Sequence, residues 1–276
     1  MTDVLVLGSD GLPVRLVQPW AQDKLHFLKR YIDIFTTSMK DKWPRRVYVD
    51  LFAGPGKSVI EGTSQEIDGS PIIALHAKYP FSEMYLNDAA PEVTAALIAR
   101  LGRPPPANTF VSTLDCNAAA LNARRMLVAG ADNARTIGLA FIDPTAFQIG
   151  YDAIAHLTAD LRIDIIVTVM TGYVARFIAE RGFEDPMDQF FGSGDWRALV
   201  EAKAGGERVT SRRLLDHYEG RLRALGYTYF DDSVRIVNSR NRTIYHLVFA
   251  SKHQLGGRFS KEVSRRMRSG QARMDI

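Results

Sequence analysis

The chain has 276 residues, 46% of them hydrophobic, and a formal net charge of +4. That length buries one large core, or a core with a small appendage. No apolar run reaches the length of a bilayer span and no basic-then-apolar signal opens the chain, so the expectation is a soluble cytoplasmic protein with no membrane partner. Cys116 is the only cysteine, which excludes disulfide frameworks and cysteine-built zinc sites within one chain. The histidines are scattered with no H-x-x-x-H pair, so no metal site is expected. Charge is unevenly spread: from Arg235 to Arg273 there are ten Lys or Arg and one acid, Glu262, while the rest is net acidic. A basic end on an acidic body is a usual footprint for a polyanion such as nucleic acid, although solvated helix faces and tails give the same count.

In chain order, VLVLG and VRLVQ flank a Ser-Asp-Gly turn and predict a leading hairpin. Residues 21–40 follow with Leu25, Leu28, Tyr31, Ile32, Phe35 and Met39 at helical spacing. A helix in that position covers the ligand pocket in many α/β folds, which singles out Trp20, Lys24 and Tyr31; the plainer reading is a packed helix with Lys24 in water. VYVDLFAGPG is a β-branched run ending in Asp50 and breaking into a loop, Phe52, Ala53, Gly54, Pro55 and Gly56. A buried strand that delivers a glycine loop to the carboxyl end of a parallel sheet is where open α/β folds bind ligands, because glycine lets the backbone approach them. A P-loop would need a glycine where Leu51 stands, and a dinucleotide fingerprint would run straight into a helix, which Ser58-Val59 does not. D-L-F-A-G-P-G resembles instead the first loop of S-adenosylmethionine-dependent methyltransferases. A Gly-Pro turn without a ligand is the plain alternative.

Residues 57–69 are polar and predict a long surface loop. Ser70-Pro71 predicts a helix start, with serine as cap and proline at the first position. EMYLND is the next strand, and its tip carries Asp88, placed to accept both hydroxyls of a ribose. A helix from Pro91 to Leu101 and the strand TFVSTLD bring in Asp115, suited either to an adenine amine or to capping the next helix. Cys116 reads as a packed small residue. TIGLAFIDPTAF is nearly all apolar, as a central parallel strand is, and ends in Asp143 and Pro144. IDIIVTVM is a fifth strand, residues 182–209 look like a helical insertion hinged at Gly205, and a helix from Ser211, an antiparallel hairpin and a basic helical tail, its end over 258–276, close the chain. A helix and antiparallel hairpin after five parallel strands is the ending of a class I methyltransferase sheet, where a dehydrogenase sheet would end on parallel strands.

Taken together, Trp20, Lys24 and Tyr31, DLFAGPG, GSPIIAL, FIDPTAF, FFGSGDW and NSRNRTIYHLVFASKH resemble, in order and spacing, the three-Cys-motif partner proteins (TcmP) of bacteria. The resemblance implies a methyltransferase-like fold working with a separate protein that carries three cysteines and is itself similar to radical S-adenosylmethionine enzymes. Thr145-Ala146 replaces a Phe-Gly common in that family, and longer members continue into a winged-helix domain where this sequence ends on a short basic tail, so DNA binding by such a domain is not among the expectations. Asp143-Pro144 also resembles the D-P-P-Y of nucleic-acid amino-methyltransferases, without its second proline and aromatic.

The expectation is therefore a single α/β domain over 1–276, with a Rossmann-like, mostly parallel class I methyltransferase sheet, helices on both faces, and a hairpin and covering helix over 1–45. S-adenosylmethionine is expected at Asp50, Phe52 to Gly56, Asp88 and Asp115, with Asp143 and Pro144 orienting the methyl acceptor. Methyl transfer from a sulfonium needs in-line positioning more than acid and base, so no paired carboxylates need stand out. The alternatives are a non-catalytic partner delivering substrate to the three-cysteine protein, and an adaptor binding nucleic acid through the basic end.

Overall fold

The structure is a computed structural model, and it describes residues 4–129, 133–177, 184–207, 209–238 and 240–268. Seven strands form the main sheet. In chain order they are β3 (Arg45–Asp50), β6 (Glu83–Asn87), β7 (Thr109–Ser112), β8 (Thr136–Ile142), β9 (Arg162–Val169), β10 (Tyr229–Val237) and β11 (Thr243–Ser251). Their spatial order is β10-β11-β9-β8-β3-β6-β7. All neighbours pair in parallel except β11, which is antiparallel to both β9 and β10. This is the mostly parallel, Rossmann-like α/β sheet with an antiparallel closing hairpin that the sequence predicts.

Two helical layers cover it because its central strands are apolar on both faces. In β3, Val47 and Val49 point to a cluster built by α4 (Cys116–Val128), α5 (Tyr151–Thr158), α7 (Glu184–Phe191), α8 (Arg197–Ala204) and α9 (Ser211–Ala224). Tyr48 points to the opposite cluster, under α1 (Ala21–Met39), α2 (Ser70–Leu75), α3 (Pro91–Leu101) and α10 (Gln254–Arg268). The stretch expected as a helical insertion holds α7 and α8; its residues 182, 183 and 208 lie outside the described set. Its aromatic residues join the main core, Phe190 stacking on Tyr218 with ring centroids 4.8 Å apart.

Two local expectations are corrected. Residues 57–69 are not a loop: β4 (Lys57–Ile60) and β5 (Glu66–Asp68) join β1 (Leu5–Leu7) and β2 (Pro13–Val17) in a second sheet, ordered β1-β2-β4-β5. The polar composition hid a short alternating strand in which Ser58 and Ile60 face inward. Ser70 does not cap α2; Gly69 holds that position, and the Ser70 hydroxyl is bonded to buried Asp50. The basic tail is helical, as expected, up to residue 268. Helix α10 buries Val263, and its Ser260 and Ser264 hydroxyls donate to Asp231 Oδ2 at 3.0 and 2.7 Å, leaving Arg258, Lys261, Arg265 and Arg266 exposed. Residues 269–276 lie outside the described set. Among the described residues no helix is long and apolar enough to cross a membrane.

A tight contact fixes how the hairpin meets the sheet. After β9, helix α6 (Thr171–Phe177) begins against β11, and a methyl group on Gly172 would lie 1.9 Å from the Thr243 carbonyl oxygen. Backbone on both sides leaves nothing to yield. Gly172→Ala is therefore expected to lower unfolding stability by about 3 kcal/mol in urea titration, the upper range of overpacking. Gly220, in α9 with open space around it, provides the contrast: Gly220→Ala is expected to raise stability by about 0.5–1 kcal/mol.

Candidate functional site: a cleft at the strand tips

Chain order reverses beside β3: β6 and β7 follow on one side, β8 and β9 on the other. The crevice at such a switch point is where open α/β sheets take ligands. Here it collects the tips of β7, β6, β3 and β8, which at ~4.8 Å per strand span roughly 14 Å, the scale of a nucleoside with a short side arm. Asp115, Asp88, Asp50 and Asp143 stand along that edge, one per tip.

Asp50 is fully buried on the α1 side. It accepts from the Phe52 N–H at 3.2 Å and the Tyr48 hydroxyl at 3.1 Å, besides Ser70. Burial outweighs these bonds and pushes its pKa up to about 7, with the Asp143 charge adding in the same direction. The glycine loop beyond it turns on two left-handed residues, Gly54 at φ 65° and Gly56 at φ 92°. The Ala53 N–H donates to the Asn87 carbonyl at 2.8 Å, and Gly69 N–H to the Gly56 carbonyl at 2.8 Å. Ala53, Pro55 and Gly56 are buried, and Phe52 is half-buried against the α4 side. Arg100 of α3 holds the loop from outside. Its Nη1 donates to the Pro55 and Pro13 carbonyls at 2.6 and 2.7 Å, and its Nε and Nη2 each lie 2.9 Å from the Asp10 carboxylate. That guanidinium holds Asp10 well below its usual range, at about 2.

Asp88 is buried at the β6 tip, where it accepts from Gly54 N–H at 3.1 Å and Ala90 N–H at 3.1 Å and is paired with Arg15 of β2 at 2.7 Å. Asp115 is the N-cap of α4, its Oδ1 accepting from the Asn117 and Ala118 amides at 2.9 and 3.4 Å. Of the two roles open in the sequence, capping is the one this geometry displays. Burial pushes the Cys116 thiol up to about 12, and it donates to the Gln148 carbonyl, so it is a packed residue and not a nucleophile.

Asp143 stands at the β8 tip, beneath the first turn of α1. Its Oδ2 is bonded by the Lys24 ammonium, and its Oδ1 accepts from the Thr168 hydroxyl at 2.6 Å. Lys24 also lies 5.6 Å from the centre of the Tyr245 ring. The attraction of Asp143 and Tyr245 raises the lysine above its ordinary value despite burial, which acts the other way. Pro144 is buried behind this group. Tyr31 does not belong to it: its hydroxyl donates to buried Asp164 at 2.7 Å, lower in the sheet, so it is a core residue. Trp20, just before α1, packs against the α1-side core.

Sequence reasoning missed Arg15, Thr168 and Tyr245. Thr168 had a signal, as a polar residue in an otherwise apolar strand. Arg15 had none, because its role depends on a second sheet placing β2 beside the glycine loop.

No family model matches the chain, nor does any curated relative. Among solved structures it is similar to the putative methyltransferase yhhF of Escherichia coli at 13% identity and TM-score 0.37, over 91% of this chain and 100% of that one. It is also similar to a DUF574-family protein of Streptomyces avermitilis at 12% identity and TM-score 0.43, over 82% and 83% of the two chains. A third is the ribosomal protein L11 methylase of Lactobacillus delbrueckii subsp. bulgaricus, at 14% identity and TM-score 0.33, over 80% and 77%. The architecture itself stands on the strand order above.

The buried Asp50 gives a pH signature. Its folded-state value of about 7 lies above its ordinary 3.8, so the folded protein binds the extra proton and stability falls as pH rises between those values. Asp50→Asn is expected to flatten that fall, gaining up to about 4 kcal/mol relative to wild type at pH 8. Urea unfolding from pH 4 to 8 reads the difference, and parallel curves would refute it.

Proposed function

We propose that this protein is an S-adenosylmethionine-dependent methyltransferase whose cofactor lies across the glycine loop and whose acceptor approaches Asp143. The observation that carries the reading is the coincidence of a glycine loop with four carboxylates at the switch point of a class I methyltransferase sheet. In it, Asp50 shapes the loop from beneath through Phe52, Gly54 and Gly56 let the cofactor approach the backbone, Asp88 serves the ribose, and Asp115 offers Oδ2 to the adenine amine. S-adenosylmethionine supplies the activated methyl group. The chain supplies placement: Asp143, oriented by Thr168 and Lys24 with Pro144 behind it, accepts an N–H of the acceptor or takes its proton. The Tyr245 hydroxyl, buried and without a hydrogen-bond partner among the described residues, is a further polar atom on this side.

The acceptor we favour is a nucleic acid or nucleotide. Supporting it, the turn from β10 to β11 overhangs the same end of the sheet and exposes Arg235, Arg240 and Arg242, and α10 turns four basic residues outward. The working partner is the three-Cys-motif protein that the TcmP resemblance implies, and the compartment is the cytoplasm. A second reading, a non-catalytic scaffold serving that partner, is favoured by one observation: Arg15 and Lys24 already neutralise Asp88 and Asp143.

Calorimetric titration with S-adenosylmethionine, S-adenosylhomocysteine and NAD tests the cofactor. Micromolar binding of the two S-adenosyl ligands and none of NAD is expected; absence of all three moves the protein to the scaffold reading. With an acceptor in hand, Asp143→Ala is expected to lower turnover at least tenfold with cofactor affinity kept. Full turnover in that variant would remove Asp143 from the acceptor site.

A further inference from the structure

The acid best placed for a ribose is already occupied by the protein's own cation. Arg15 reaches Asp88 because β2 runs parallel to β4, the strand that leaves the glycine loop, with Arg15 in register with Ser58. Its Nη2 lies 2.7 Å from Asp88 Oδ2, the oxygen that also accepts the Gly54 N–H. A methyl group on Gly54 would stand 3.3 Å from Arg15 Nη1, so the guanidinium rests on the glycine itself. A ribose diol binds a carboxylate by donating to both oxygens, and Oδ2 already has two donors for its two lone pairs. The space above Gly54, which makes the loop useful to a ligand, is filled by the same side chain.

We infer that Arg15 is a specificity-determining residue of the cofactor pocket: it stands in for the ribose and swings off Asp88 when an adenosyl ligand seats. This rests on reading the cleft as an S-adenosyl site. The exchange is local. Arg15 has a long side chain that is 21% exposed, against 8% for Asp88, so the arginine has an outward path and the acid does not. When it leaves, two ribose hydroxyls replace its hydrogen bonding, and Asp88 keeps its two backbone donors, Gly54 and Ala90. A ligand without a vicinal diol offers Asp88 no such replacement. Because only the open conformer binds, measured affinity is the intrinsic affinity reduced by the fraction that is open.

The test titrates S-adenosylhomocysteine and uncharged adenosine into wild type, Arg15→Met, Arg15→Gln and the double variant Arg15→Met with Asp88→Asn. Thermal melts establish that each is folded. Both ligands are expected to bind Arg15→Met at least tenfold more tightly than wild type, and the gain is expected to vanish in the double variant. Arg15→Gln gives the same reading where the methionine variant fails to fold. Unchanged or weaker binding in the arginine variants, with wild type binding S-adenosylhomocysteine, overturns the inference and leaves the cofactor reading standing. A gain that survives in the double variant also overturns it, since the effect would not pass through Asp88. Binding of neither ligand by any variant ends both readings.

Discussion

The constraint on which the cleft depends is electrostatic. A parallel sheet with its switch point at β3 ends four neighbouring strands at one edge, and each ends in or beside an aspartate. Carboxylates brought this close repel one another, and burial removes the water that would solvate them. The structure resolves each differently. Asp50 is surrounded by donors and still raised by burial, Asp115 is spent on the end of α4, and Asp88 and Asp143 each receive a cation.

Both cations come from the first twenty-four residues. Arg15 lies on the small sheet and Lys24 on the first turn of the covering helix, so the leading segment serves as the electrostatic complement of the strand tips. That explains why the small sheet exists where a polar loop was expected. Strand β4 continues out of the glycine loop and pairs with β2, which pins Arg15 over Gly54, and Arg100 ties Asp10, the Pro13 carbonyl and the Pro55 carbonyl together. Loop, small sheet and α3 are thus one mechanical unit.

The surroundings of Asp143 are built by different elements. Thr168, Asp143 and Tyr245 come from β9, β8 and β11, and all face the layer that carries α1. The antiparallel placement of β11 puts Tyr245 there, and the contact between Gly172 and the Thr243 backbone sets how closely the hairpin approaches. The closing hairpin thus places the Tyr245 ring beside Lys24, the partner of Asp143.

The sequence by itself determined the α/β class, the five parallel strands with their antiparallel ending, and the identity of the tip acids. These follow from short-range features: β-branched runs, a Gly-Pro-Gly break, and acids at run ends. Helix α3 was legible to the residue because Pro91 and Gly102 punctuate it. Only the tertiary structure decided what each acid holds. Asp88 read as a ribose acceptor and meets Arg15, 73 positions away. Tyr31 was open between a pocket role and a packed helix, and it meets Asp164, 133 positions away. Ser70 read as a cap and serves Asp50. Side-chain chemistry is written locally, whereas the partner of a buried charge is chosen by whichever distant segment the sheet order brings within hydrogen-bonding reach.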